Sequence, residues 1–151
     1  VRLIRVPRLP VIVLATAVTL FIAGWHLHFY FQDPNQVELY SDANSQIANG
    51  IAREAEALGE GATVYLAGIP RMYYYGFQSI PYIAPEAAGI DVESPWSAEM
   101  QPPSLDGPTL FAFIPERASG LAVVQSWFPG GVTKEHTLPS GEFLYVSYSV
   151  P

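Results

Sequence analysis

The sequence contains no cysteine. A disulfide framework and a thiolate metal site are both excluded, and the redox compartment stays open, because a cysteine-free domain is compatible with either side of a membrane. Basic residues are scarce where most of the chain lies. Arg2, Arg5 and Arg8 precede the first apolar run; after it come Arg53, Arg71, Arg117 and Lys134, against fourteen acids. A surface so acidic repels nucleic acid and anionic headgroups, so no nucleic-acid partner is expected, and the charge serves solubility. Histidine is also sparse: His26 and His28 lie in the apolar run and His136 stands alone downstream. One histidine builds neither a histidine-based metal site nor a convincing Ser-His-Asp triad. The chain lacks a G-x-G-x-x-G, a P-loop and a G-x-S-x-G elbow. Gly130-Gly131 follows a helical segment instead of preceding one, which makes it a turn and not a phosphate cradle. No catalytic residue, metal or cofactor is expected.

What the sequence does have, first, is an anchor. Residues 9–31 read LPVIVLATAVTLFIAGWHLHFYF, without a charge if the histidines are neutral. At about 1.5 Å per residue, 20-odd residues cross a hydrocarbon core of about 30 Å. Trp25, Tyr30, His26 and His28 gather at the far end, where an interfacial belt belongs. His26 and His28, two residues apart, would point to different faces of a helix and do not suggest a metal site. The exit is bulky, unlike the small residues before a signal-peptide cut, and no polar face marks a buried core helix. Three arginines before the run and Asp33 after it predict the N-terminus in the cytoplasm and the remainder outside. The expected organisation is a cytoplasmic basic flank (1–8), a transmembrane helix (9–31) in the cell membrane and an extracytoplasmic domain (33–151). The lipid bilayer is thus the first expected partner. The first residue is Val1, which fits either a start codon read literally or the tail of a longer chain.

The remaining 119 or so residues suffice for one domain with a continuous core. Residues 33–40 form a polar connector, and Ser41 or Asp42 is a plausible N-cap. Ile47, Ile51, Ala55 and Leu58 recur at helical spacing, predicting a helix of about 16 residues that ends at Gly59, with Arg53, Glu54 and Glu56 outward. Short apolar runs at 62–67 and 109–114 read as buried strands, and 89–92 as a further short one. The Tyr-rich, proline-broken stretch 69–85 predicts a short helix or irregular turn, and 94–108, with four prolines, a loop. Pro115 opens a helix through Trp127, which Phe128-Pro129-Gly130-Gly131 ends. Residues 131–138 and 142–150 read as a hairpin. Strands separated by helical segments predict an α/β fold: a small layered domain with a mostly parallel sheet, helices on both faces and an antiparallel edge hairpin.

Three sets of residues invite chemistry. Arg71 and Arg117 each fall just beyond a strand and near an expected helix N-terminus, an arrangement suited to a phosphate-bearing headgroup or another anion; the plainer reading leaves them solvated or paired with local acids such as Glu116. Tyr73, Tyr74 and Tyr75 beside Arg71 would stack on a sugar ring or line an interface, or else cover the sheet. Asp91 and Glu93 could face one way on a strand, as paired carboxylates for glycoside hydrolysis do, although fourteen acids make chance proximity common.

From Tyr40 onward the chain resembles the C-terminal part of bacterial membrane glycosyltransferases of the glycosyltransferase 39 family, related to protein O-mannosyltransferases. The resembling stretches are VYLAGIPRMYYYGFQSIPYIAPEAAGIDV, TLFAFIPER, SWFPGG and GEFLYVSYSV. The resemblance implies many membrane spans followed by an extracytoplasmic domain, and a polyprenyl-phosphate sugar as donor. It places the catalytic acid in an early extracytoplasmic loop that nothing here matches, so no catalytic residue carries over. Residues 9–31 would be the last span, packed with other spans of the same enzyme, and this segment alone would be inactive. The alternative is a stand-alone single-pass envelope protein whose α/β domain binds a partner or ligand.

Overall fold

The computed structural model describes residues 8–32 and 42–151. The arginine flank before Arg8, the 33–40 connector and Ser41 as a cap fall outside the described residues. Two compact units result, divided between Tyr40 and Ser41.

The first unit is helix α1 (Arg8–Gln32). Its segment Pro10–Phe31 is long and apolar enough to cross a membrane, and none of it is buried. Leu20, Phe21 and Phe31 are 67%, 69% and 74% exposed. Thr19 returns its hydroxyl to the Ala15 carbonyl at 2.9 Å, so its side chain adds no unsatisfied donor to the apolar surface.

The second unit is an α/β domain. Helix α2 (Ala43–Leu58) starts at Asp42, whose carboxylate accepts from the Ser45 backbone N–H at 3.0 Å, and stops at Gly59 with φ of +90°. Strand β1 (Thr63–Ala67) leads through a cis Ile69–Pro70 bond to a 3-10 turn at Tyr74–Gly76 and the short helix α3 (Ser79–Ile83). Then follow β2 (Ala88–Asp91), the 94–108 loop, β3 (Thr109–Phe113), a 3-10 turn at Pro115–Arg117, α4 (Gly120–Trp127), β4 (Val132–Thr137) and β5 (Phe143–Val150). The helix expected directly after Pro115 therefore begins at Gly120, after the tighter turn.

The five strands form one sheet in the order β2-β1-β3-β5-β4. β1 pairs parallel with β2 and β3, but β5 runs antiparallel to both β3 and β4. The sheet is mixed, which corrects the expectation of a mostly parallel one. The reason is where the apolar surface sits. β5 (FLYVSYSV) is buried over most of its length and takes an inner position, whereas β4 (VTKEHT) is largely exposed and takes the edge. Lys134 and Glu135 on that edge discourage pairing with another chain. The edge hairpin itself is as expected.

Side chains of β3 and β5 alternate between two cores. Leu110, Ala112 and Tyr145 face α2, together with Ile47, Ile51, Val64 and Leu66. Phe111, Phe113, Val146 and Tyr148 face Val124 of α4. Tyr74 belongs to the first core: it is fully buried, and a Cβ at Gly89 would overlap its ring, so glycine lets the ring lie against β2. Its hydroxyl donates to the Ala87 carbonyl at 3.2 Å.

Candidate functional site

β1, β2 and β3 point the same way, so the segments that follow them emerge on one rim, where open α/β sheets tend to bind ligands. Both sequence-predicted arginines lie on this rim. Arg117 donates from Nε to the Ile69 carbonyl at 3.1 Å and from Nη2 to the carbonyls of Val92 at 3.3 Å and Glu93 at 2.7 Å. A side chain from the segment after β3 thus ties down the chain just beyond β1 and just beyond β2. Arg71 donates from Nε to Asn44 Oδ1 at 2.6 Å and from Nη1 to Glu116 Oε1 at 3.0 Å. A backbone N–H and this guanidinium together hold the Glu116 carboxyl below its ordinary value. Pairing with a local acid describes Arg71, which meets Glu116; Arg117 instead gives its hydrogen bonds to backbone carbonyls. Neither stands at the start of a long helix, since a turn follows Arg71 and a 3-10 turn contains Arg117.

The tyrosines divide. Tyr74 is core, with its backbone N–H donating to Asp91 Oδ1 at 2.8 Å. Tyr73 and Tyr75 are 47% and 61% exposed. The triplet is therefore not one aromatic platform.

A second polar group lies between α2 and the β4–β5 hairpin, and the sequence reading missed it. Glu54 does not point outward: its side chain is 17% exposed and meets β5. One carboxylate oxygen accepts from the Tyr145 hydroxyl at 2.8 Å and from His136 Nε2 at 2.5 Å; the other accepts from the Ser147 hydroxyl at 2.6 Å. His136 and Tyr145 are register partners on β4 and β5, and their rings stack with centroids 4.0 Å apart. Gly50, one turn before Glu54, makes room, because a Cβ there would come within 2.5 Å of the Tyr145 oxygen. Burial, with the neighbouring carboxylate, pushes the Tyr145 phenol far up. The helical spacing was the available signal: residue 54 stands three after Ile51 and seven after Ile47, on the inward stripe.

The cluster contains a serine, a histidine and an acid, but not as a triad. Glu54 and Ser147 both approach the same imidazole nitrogen, Nε2, and Ser147 is 1% exposed. A triad needs the acid on one nitrogen, the serine on the other, and an accessible hydroxyl. An imidazole carrying its proton on Nε2 satisfies Glu54 while remaining neutral. Burial holds the His136 imidazole below its ordinary 6.5; the Glu54 carboxylate pulls against this, and Lys134 adds to it. A depressed histidine value means that the unfolded chain binds the extra proton first. Stability should then fall as pH drops below about 6.5 and level off once His136 is protonated in the folded state. Urea-unfolding midpoints at pH 7.5 and 5.5, for the parent and for His136→Gln, check this. A parent that grows more stable toward pH 5.5 would mean that attraction to Glu54 outweighs burial.

The third feature is a groove of about 280 Å³ on the α4 side of the sheet, between β2 and the 94–108 loop. Tyr65, Ile90, Asp91, Glu93, Trp96 and Gln101 are among its walls. Trp96 is held by edge contacts to Phe111, Phe113 and Trp127, with ring centroids 5.3, 5.6 and 5.9 Å away. Asp91 and Glu93 do share this groove, though one Asp91 oxygen serves the Tyr74 N–H. Among the described residues, no group of three or more histidines and acids could hold a metal ion.

No protein-family model, curated protein or solved structure matches the chain.

Proposed function

We propose that the chain is a membrane-tethered domain that acts by contact and not by catalysis. We assign it to the extracytoplasmic face of the cell membrane, as the non-catalytic C-terminal portion of a polyprenyl-phosphate-sugar-dependent glycosyltransferase. The observation that carries the tether is α1: Pro10–Phe31 is long and apolar enough to cross a membrane, and none of it is buried among the described residues, which suits an apolar solvent. Orientation rests on the three arginines before the span and Asp33 after it. Action by contact is supported by the groups best able to do chemistry. Arg71, Arg117, Glu54, Ser147 and Tyr145 are engaged in holding the domain together. The transferase assignment is supported by the resembling segments alone, and there the domain would cover or shape an active site built by other spans.

A cytoplasm-only reporter fused after Pro151 should stay silent, while the fusion resists extraction from membranes at alkaline pH. A bright reporter would reverse the orientation. Release at alkaline pH would remove the tether, and with it this reading.

A further inference from the structure

We propose that the groove between β2 and the 94–108 loop binds a neutral saccharide. Along this groove the domain leaves several side-chain hydrogen bonds unmade. The Tyr65 hydroxyl, the Trp96 indole N–H, the Gln101 amide and the Glu93 carboxylate all belong to groove-lining residues, and none has a hydrogen-bond partner among the described residues. No buried side-chain nitrogen or oxygen among the described residues lacks a partner. Tyr65 and Trp96 are both half-buried, so their polar atoms must open to solvent. The groove therefore presents two donors or acceptors on aromatic rings, one amide and one carboxylate, all free to bind.

The ring scaffold behind them is rigid. Trp96 is wedged against three aromatic side chains, and Tyr65 stacks on Phe111 at 5.1 Å with the planes 14° apart. Binding would order little that is not already ordered, which lowers its entropic cost. Charge then selects the ligand. The titratable side chains that line the groove are two acids and a tyrosine, with no cation among them, so an anionic ligand is repelled. A purely apolar ligand would bury the carboxylate and amide without partners. A sugar ring satisfies both conditions. It offers C–H faces to aromatic rings and hydroxyls to a carboxylate, an amide and an indole N–H. The volume lies near the lower end for small-molecule sites, which suits one or two sugar units.

This inference does not rest on the tether or on the transferase reading, since a detached domain would keep the groove. Its test can therefore fail or succeed separately. The probes are methyl glycosides of glucose, galactose, mannose and N-acetylglucosamine, with glycerol as a control. They are titrated to about 50 mM into the full chain in lipid nanodiscs, because an unoptimised site of this size binds in the millimolar range. The readout is the indole N–H resonance of Trp96, assigned by its loss in Trp96→Phe. At least one glycoside should shift it saturably, leaving Trp25 and Trp127 in place. Glu93→Ala and Gln101→Ala should each weaken that binding about fivefold without lowering the unfolding midpoint, because neither side chain has a partner to lose. No saturable shift with any glycoside would overturn the proposal. So would an equal response to glycerol, or shifts that persist unchanged in both variants. Preferential binding of a proline-rich peptide over every glycoside would instead identify a peptide groove and also overturn it.

Discussion

Glu54→Ala should destabilise the domain by about 3 kcal/mol, because it strips partners from two buried hydroxyls at once. The Tyr145 hydroxyl and the Ser147 hydroxyl both donate to this carboxylate, and both residues are 1% exposed. Ser147 retains only a 3.3 Å approach to the Lys134 carbonyl and 3.4 Å to His136. The removed carboxylate also leaves His136 Nε2 without its closest partner. Each orphaned donor costs about 1–3 kcal/mol if water does not replace the lost group. Glu54→Gln separates hydrogen bonding from charge. Its amide oxygen can still accept from the Ser147 hydroxyl, and its N–H₂, in place of the oxygen that Tyr145 and His136 share, can donate to the Tyr145 hydroxyl oxygen and to His136 Nε2 if the imidazole moves its proton to Nδ1. The loss should then be about 1 kcal/mol, and the pH dependence of stability should change with the tautomer. Urea denaturation of the three proteins decides it. A Glu54→Ala protein within about 0.5 kcal/mol of the parent would show that the cluster is ornamental to stability.

Much of the α/β layout was legible because its signals are local. The 16-residue helix announces itself through Ile47, Ile51, Ala55 and Leu58 and stops at a glycine with positive φ. The strands in TVYLA and TLFAF are short β-branched or aromatic runs with no polar alternation, which predicts cover on both faces. What was not legible depends on contacts between residues far apart in the chain. Whether β5 docks beside β3 parallel or antiparallel is decided by which strand has apolar surface left to bury, not by anything within FLYVSYSV. Glu54 was misread for a related reason. Its charge argued for solvent, and its spacing argued for the core; a tyrosine and a serine 91 and 93 residues away settle the matter. The groove was invisible as well, because 94–108 reads only as a loop. A tryptophan in so proline-rich a stretch was the one hint that the loop folds back onto the sheet.

Arg117→Ala should also cost about 3 kcal/mol, although no ion pair is lost. The guanidinium spans three carbonyls on two separate segments, those of Ile69, Val92 and Glu93. These carbonyls lie past the ends of β1 and β2, beyond the paired residues of the ladder. Hydrogen bonds from a charged donor contribute more than neutral ones, about 1.5–3 kcal/mol each, and partial exposure reduces the sum. Lysine should rescue little. An ammonium is a compact point charge, whereas the planar fork reaches two segments from different nitrogens. Arg117→Lys is therefore expected to recover less than half of the loss. Hydrogen exchange supplies a readout that a general weakening would not give. Amides in the segments just after β1 and β2 should lose protection first, while those in the β4–β5 hairpin keep theirs. If Arg117→Lys matches the parent in both stability and exchange, the charge alone suffices and the fork geometry has no role. If the hairpin amides lose protection together with the rim, Arg117 supports the domain globally and does not act as a local tie.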